Sequence, residues 1–180
     1  MNVKDYIQRM ISCCSNISTL ASCARSNHND IQVDTICIID YKETIPFIPT
    51  IKSGHVIKVY DGDTITIASK LPYPDSPLYR FQVRLKGIDC PEIKGKNEDE
   101  IFTALCAKQE MEKLVMQKHV ILKNVGTEKY GRLLADVYIN NIHVNEHMLK
   151  TRLAVTYDGK TKKTPTNWKI YHQHGILDTF

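Results

Sequence analysis

Residues 54–67 read GHVIKVYDGDTITI, two apolar runs separated by a short acidic segment. In the second run Ile65 and Ile67 alternate with threonines, which is the two-residue period of a half-buried β-strand. The Asp61-Gly62-Asp63 segment between the runs has the composition of a tight turn. The stretch therefore predicts a strand, a turn and a second strand that pairs with the first.

The chain beyond this hairpin continues as short strands with helices between them. Phe81, Val83 and Leu85 alternate with polar residues and predict a third strand, whose Arg84 lies on the face opposite the apolar side chains. Apolar residues recur at helical spacing from Glu100 to Lys118 and predict the longest helix. The later elements are predicted as strands at 120–122, 132–139 and 142–144, a short helix capped by Asn145, and a last helix opened by Pro165 and closed by Gly175. This order predicts an α+β fold, mainly β, in which two or three helices pack on a five-stranded barrel.

The composition of the chain changes near residue 50. Residues 1–50 are rich in Ser, Asn and Cys without a sustained period, so we predict a weakly structured N-terminal extension. Residues 51–180 are predicted to form one domain, with its core in 54–157. This domain carries the formal excess of +4, because residues 1–53 contain equal numbers of acidic and basic side chains. A modestly basic domain suits a polyanionic partner, although such a charge is also common on soluble proteins.

The overall composition is that of a soluble globular protein, with 42% hydrophobic and 24% charged residues. No run of roughly 18 uncharged apolar residues occurs, so we expect no integral membrane segment. The six cysteines form no CxxC pair, and Asp5 lies where a signal peptide carries positive charge. These features predict an intracellular protein, cytoplasmic or nuclear, with no clear signal peptide. We expect it to be a monomer.

Four carboxylates, those of Asp61, Asp63, Asp89 and Glu92, occur within about thirty residues, each at a predicted strand end or turn. Carboxylates that gather in a fold repel one another unless a cation or strong hydrogen-bond donors lie among them. An aspartate in an Asp-Gly turn is also ordinary turn chemistry, so Asp61 alone indicates little. The group as a whole indicates a site where positive charge is bound.

Four motifs follow one another along the chain: Asp61-Gly62-Asp63-Thr64, then Arg84, then Asp89-Cys90-Pro91-Glu92, and then Lys129-Tyr130-Gly131-Arg132. In these residues the sequence resembles the staphylococcal nuclease, or thermonuclease, family over roughly residues 54–157. The resemblance implies a five-stranded OB-fold barrel. It also implies a calcium-dependent nuclease that hydrolyses phosphodiester bonds of DNA or RNA, with single strands preferred.

The resemblance further implies which residues carry the chemistry. Arg84 and Arg132 would stabilise negative charge that grows on the phosphoryl oxygens during attack by water. Glu92 would orient or deprotonate that water. Alanine at any of the three is then expected to lower the rate about a hundredfold or more and to leave folding largely intact.

Metal and substrate contacts are implied in the same way. The calcium ligands would be the Asp63 and Asp89 carboxylates and the backbone carbonyl of Cys90, at a position where the family usually has threonine. Oxygen ligands of this kind fit Ca²⁺ and disfavour a soft metal. Phosphate and sugar would be contacted by Lys129, Tyr130 and Tyr157.

Other interpretations of the sequence stay open. A non-catalytic nucleic-acid-binding barrel would use the same fold, although the presence of both arginines together with Glu92 argues against it. Residues 1–50 could instead belong to a scaffold or a membrane-tethered protein. Three lysines, Lys160, Lys162 and Lys163, could follow a phosphate backbone, but such a run of charge is more often a solvated loop.

Overall fold

The computed structural model describes residues 39–178. The chain divides into two units between Ile45 and Pro46. In the first unit, the described residues 39–45 contain a short 3-10 helix, Tyr41–Glu43, whose first turn is capped by Asp40. The Asp40 carboxylate accepts a hydrogen bond from the Lys42 N–H at 2.9 Å. Most of the predicted N-terminal extension, residues 1–38, lies outside the described residues.

The second unit begins at Pro46, and its described part contains eight strands and three α-helices. The strands are β1 Ser53–Val59, β2 Thr64–Ser69, β3 Tyr79–Leu85, β4 Ile88–Asp89, β5 His119–Thr127, β6 Leu133–Ile139, β7 Ile142–His143 and β8 Val155–Thr156. The helices are α1 Glu98–Val115, α2 Val144–Lys150 and α3 Trp168–His174.

Five of these strands close a barrel. β1 pairs antiparallel with β2 and with β5, β2 pairs with β3, and β5 pairs with β6. The barrel closes where β3 runs parallel to β6, with Val83 opposite Leu133 and Leu85 opposite Ala135. Alternate residues of each strand point inward, and the side chains that fill the interior include Val56, Ile65, Ile67, Val83, Leu85, Val120 and Val137. The predicted five-stranded barrel with two or three packed helices is confirmed.

Helix α1 begins and ends close to the predicted bounds. It starts two residues before the predicted Glu100, because the Asn97 side chain caps it by accepting a hydrogen bond from the Glu100 N–H at 2.9 Å. It ends at Val115, and Gln117 follows with a φ of 56° that an α-helix does not accommodate. Its apolar stripe packs on the barrel through Ala107, Met111 and Val115, which are fully buried.

The predicted capping role of Asn145 is wrong. The residue before α2 is His143, whose side chain makes no capping hydrogen bond within the described part of the chain. Asn145 lies inside the helix with only 3% of its surface exposed. Its Oδ1 accepts a hydrogen bond from the Val137 N–H at 2.9 Å, and its Nδ2 donates to the carbonyls of Lys86 at 2.8 Å and Ala135 at 3.3 Å. Asn145 therefore joins α2 to the strand β6 and to the turn after β3.

Asn145→Ala is expected to lower the free energy of unfolding by about 3 kcal/mol, because it leaves buried backbone groups without partners. Urea denaturation at neutral pH would measure the loss. Asn97→Ala provides a matched comparison at an exposed asparagine, where loss of a helix cap costs about 1 kcal/mol. Equal losses in the two variants would contradict a buried bridging role for Asn145.

The last helix begins later than predicted. Asn167, and not Pro165, precedes it, and the Asn167 Oδ1 accepts a hydrogen bond from the Ile170 N–H at 3.0 Å. Gly175 ends the helix as predicted, with a φ of 76° that glycine adopts without strain. Helix α3 packs on α1, where the Asn167 amide donates to Asp99 at 2.8 Å. Within residues 39–178, no helix is both long enough and apolar enough to cross a bilayer.

Candidate functional site

A cavity of about 430 Å³ at one end of the barrel brings together side chains from four separate parts of the chain. Every predicted site residue except Asp89 lines it, namely Asp63, Arg84, Cys90, Glu92, Lys129, Tyr130, Arg132 and Tyr157. Asp89 lies beside it and contacts Arg84. The residues are therefore in one place, as the sequence predicts, although their chemical roles remain predictions.

The acidic side of the cavity is formed by the turn between β1 and β2. The Asp63 N–H donates to the Asp61 carboxylate at 3.2 Å, and the Asp63 carbonyl accepts from the Leu85 N–H at 2.8 Å. Gly62 is packed so closely that a Cβ there would lie 2.7 Å from the Cβ of Ala107 and 2.9 Å from the Sγ of Cys90. A glycine is thus required for the turn to pack against α1.

Arg84 lies between two buried carboxylates. Its Nη1 donates to Asp63 Oδ1, and its Nη2 donates to Asp89 Oδ1 at 2.9 Å. The side chains of Arg84, Asp63 and Asp89 are only 14%, 4% and 3% exposed. The second oxygen of Asp63 accepts a hydrogen bond from the Cys90 N–H at 3.0 Å. Arg84 is consequently part of a buried ion network. We therefore expect Arg84→Ala to destabilise the fold, in contrast to the prediction from sequence that its folding stays largely intact.

The electrostatics of this network reflect burial of several negative charges together. Burial and the neighbouring charge of Asp63 raise the pKa of Asp61 to about 6. Burial also raises the pKa of Asp89, although a hydrogen bond from Lys162 acts in the opposite direction. The Cys90 thiol is buried as well, which raises its pKa and keeps it neutral. Cys90 is therefore unsuited to act as a nucleophile or a thiolate ligand.

The basic side of the cavity is less buried. Arg132, whose side chain is 26% exposed, donates from Nε to Glu128, and this hydrogen bond lowers the pKa of Glu128. Tyr130 is 71% exposed and has the Lys129 Nζ 4.9 Å from its ring centroid. Tyr157 is half-buried, and its N–H donates to the Gly87 carbonyl at 2.9 Å. These groups could bind phosphate and sugar oxygens from one side.

Lys162 contributes a cation whose contact with the acidic residues of the site the sequence does not predict. Its Nζ lies 3.0 Å from Asp89 Oδ1 and 3.2 Å from Glu92 Oε1, whereas the sequence left its lysine run open between a phosphate contact and, more often, a solvated loop. Burial acts to lower the pKa of Lys162, but the hydrogen bond to Asp89 and that to Glu92 raise it. Lys162 is therefore positively charged at neutral pH. Glu128 and Tyr60 also line the cavity and were not among the predicted site residues.

The acidic network fits a hard cation in one specific respect. Asp89 Oδ2 is buried and has no hydrogen-bond partner among the described residues, so one carboxylate oxygen retains free lone pairs. Oxygen donors of this kind suit Ca²⁺. Within residues 39–178 no group of three or more His, Cys, Asp or Glu side chains is arranged to bind a metal ion. A calcium site here would thus depend on two carboxylates and a main-chain oxygen, which is the set that the family resemblance implies.

Comparisons with known proteins match the part of the chain that contains most of the cavity residues. A family model described as staphylococcal nuclease homologue matches residues 82–174, which include Arg84, Glu92 and Arg132 but not Asp63. A probable staphylococcal-like nuclease of Oryza sativa subsp. japonica is 35% identical over 82 residues, covering 44% of this chain and 21% of that protein. An uncharacterized endonuclease of Haemophilus influenzae is 34% identical over 102 residues, covering 57% of this chain and 51% of that protein.

Another relative matches over a longer stretch. An uncharacterized protein of Methanocaldococcus jannaschii is 30% identical over 169 residues, covering 78% of this chain and 77% of that protein. The chain spans about a fifth of the rice relative and about half of the Haemophilus relative.

Proposed function

The chain belongs to the staphylococcal nuclease family, and we propose that it hydrolyses phosphodiester bonds of DNA or RNA, with single strands preferred and Ca²⁺ as cofactor. The observation that carries the proposal is the convergence of Arg84, Glu92 and Arg132 on one cavity. Two guanidinium groups beside a carboxylate match the charge that develops when water attacks a phosphodiester.

The protein's own residues account for binding and for stabilisation of charge. Arg84 has more N–H donors than its contacts with Asp63, Asp89 and the Ile88 carbonyl use, so it can also bind a phosphoryl oxygen. Arg132 would bind a second such oxygen. The Glu92 side chain is 63% exposed, which leaves its carboxylate accessible to the attacking water. Lys129, Tyr130 and Tyr157 would contact the phosphate and sugar of the bound strand.

Calcium is proposed at Asp63, Asp89 and the Cys90 carbonyl, where it would supply positive charge to the phosphate. Two observations support this assignment: Asp89 Oδ2 has no hydrogen-bond partner among the described residues, and other buried carboxylates lie close to it. The proposed contacts address phosphate and sugar, so they give little discrimination between base sequences.

The direct test is incubation of the protein with matched single-stranded DNA and RNA, with Ca²⁺ or with a chelator. Cleavage is expected with Ca²⁺ and not with the chelator. Binding without cleavage under every metal condition would favour a non-catalytic nucleic-acid-binding barrel. Cleavage that continues in the chelator would contradict calcium as the cofactor while retaining the nuclease.

Lys162→Met is expected to tighten Ca²⁺ binding about fivefold. The Lys162 ammonium contacts Asp89 and Glu92, so a calcium ion at Asp89 competes with it, and a partly exposed ion pair of this kind contributes about 1 kcal/mol or less. Isothermal titration calorimetry with CaCl₂ in the absence of substrate would measure the change.

Lys160→Met is the matched control for this measurement. It removes the same charge from the same loop, and within residues 39–178 the Lys160 side chain forms no salt bridge. Its calcium affinity is expected to stay near that of the wild type. If both variants shift the affinity equally, long-range charge and not direct competition by Lys162 is responsible.

A further inference from the structure

Tyr60 is an exposed aromatic residue beside the site. It directly follows β1 and lines the same cavity of about 430 Å³ as Arg84 and Glu92. Its surface is 57% exposed, so the fold gains little from burying this ring. The chemistry proposed above does not use it.

The backbone of Tyr60 is fixed by the turn that also positions Asp63. The N–H groups of Tyr60 and Asp61 both donate to the Thr64 carbonyl, at 2.9 and 3.4 Å. The ring is therefore attached to a rigid part of the barrel and remains accessible from the cavity. A tyrosine has few rotatable bonds, so it loses little conformational entropy when it contacts a ligand.

Positively charged side chains lie near the Tyr60 ring and near a second exposed tyrosine ring. Lys58 lies two residues earlier, on the same strand face, and its Nζ is 5.9 Å from the Tyr60 ring centroid. Tyr130 lines the same cavity from the turn between β5 and β6, with Lys129 Nζ 4.9 Å and Arg132 Cζ 5.9 Å from its ring centroid. The cavity thus has two exposed tyrosines from different hairpins, each beside positive charge.

Exposed rings interleaved with cations match the chemistry of a single-stranded nucleic acid, whose bases stack on aromatic faces while cations bind its phosphates. We propose that Tyr60 stacks on an unpaired nucleobase of the substrate, next to the phosphate bound by Arg84 and Arg132. The inference rests on the proposed nuclease function and specifies how the substrate is selected. A base held in a duplex is already stacked and paired, so the Tyr60 ring favours single strands.

Binding of a phosphorothioate-linked single-stranded DNA, which resists hydrolysis, tests the proposal by fluorescence anisotropy. Tyr60→Ala is expected to weaken binding about tenfold, which is within the range for loss of one base–aromatic stack. Tyr60→Phe keeps the ring and should bind within about twofold of the wild type. Tyr73→Ala is the control, since Tyr73 is 46% exposed but does not line the cavity.

A scan of single abasic positions along the oligonucleotide identifies the contact. One abasic position should weaken wild-type binding about tenfold and leave binding by Tyr60→Ala unchanged, because the partner of the missing base is already gone. Equal sensitivity of both proteins at every position would overturn the stacking, as would equal binding by Tyr60→Ala and Tyr73→Ala. If the predicted binding pattern appears but unmodified DNA is not cleaved, the stacking is supported and only the proposed hydrolysis fails.

Discussion

Arg132→Ala is expected to lower the kcat for phosphodiester hydrolysis by about a hundredfold or more, on the order of 3 kcal/mol of transition-state stabilisation. The Arg132 guanidinium lines the cavity with Arg84 and Glu92, where charge grows on the phosphoryl oxygens as water attacks. Arg132→Lys is expected to be nearly as poor, because an ammonium cannot donate two parallel hydrogen bonds.

Loss of the carboxylate in Glu92→Ala should lower the rate to a similar extent, since proton transfer to a positioned side chain contributes about a hundredfold or more.

The folding of the Arg132→Ala protein should stay close to that of the wild type. Its partner is Glu128, and the two side chains are 26% and 18% exposed, so the pair contributes about 1 kcal/mol or less to stability. Steady-state cleavage of single-stranded DNA, measured beside urea denaturation, separates the two effects. Arg80→Ala is a suitable control, because Arg80 is exposed on β3 and does not line the cavity. If Arg132→Ala cleaves DNA at the wild-type rate, Arg132 does not take part in the reaction.

Much of the barrel could be predicted because its strands and turns are specified by neighbouring residues. Strand β2 alternates isoleucine with threonine, so the sequence alone indicates which side chains point inward. Asn140 and Asn141 adopt φ values of 46° and 67° between β6 and β7, a conformation that asparagine tolerates better than most residues. Closure of the barrel through β3 and β6 has no such local signal, because it joins segments far apart in sequence.

Asn145 shows why a local rule can fail. An asparagine before an apolar run is an ordinary helix cap by sequence, and nothing nearby distinguishes it from a buried residue. Its role is decided by contacts with Val137 and Lys86, which are 8 and 59 residues away. Only the assembled barrel brings those backbone groups to the helix.

The site residues that belong to ordered sequence motifs could be predicted. Single residues that reach the site from loops could not. Asp63, Arg84 and Arg132 belong to motifs whose order indicates a family. Lys162 contacts Glu92 across 70 residues of sequence, from a loop with no period. A run of lysines such as Lys160, Lys162 and Lys163 is most often a solvated loop, so the sequence does not single out Lys162 as part of the site. Tyr60 likewise reads as the end of a strand, and only its place in the cavity indicates a further role.

Arg84→Ala is expected to destabilise the fold by about 3–5 kcal/mol in addition to lowering the rate of cleavage. Arg84 is 14% exposed and donates to Asp63 and Asp89, which are 4% and 3% exposed. Removing the guanidinium leaves these carboxylates buried near Asp61 with less compensating charge. Deleting one partner of a buried ion network is far more costly than replacing all of its members with neutral groups. Arg84 and Arg132 should therefore differ in their effect on folding although both are expected to act on the phosphate.

Urea denaturation at pH 7 without added metal measures the stability of Arg84→Ala. An unfolding free energy within about 1 kcal/mol of the wild type would contradict the buried network, because a partner removed from such a network costs several times more. The triple variant Arg84→Ala, Asp63→Asn, Asp89→Asn is the informative control, since its amides carry no charge that needs a partner. This variant should regain much of the lost stability. It should still fail to cleave DNA, because it lacks both the arginine proposed to bind the phosphate and two of the proposed calcium ligands. Recovery of stability in the triple variant would thus show that Arg84→Ala is destabilised by buried carboxylates that have lost their compensating charge.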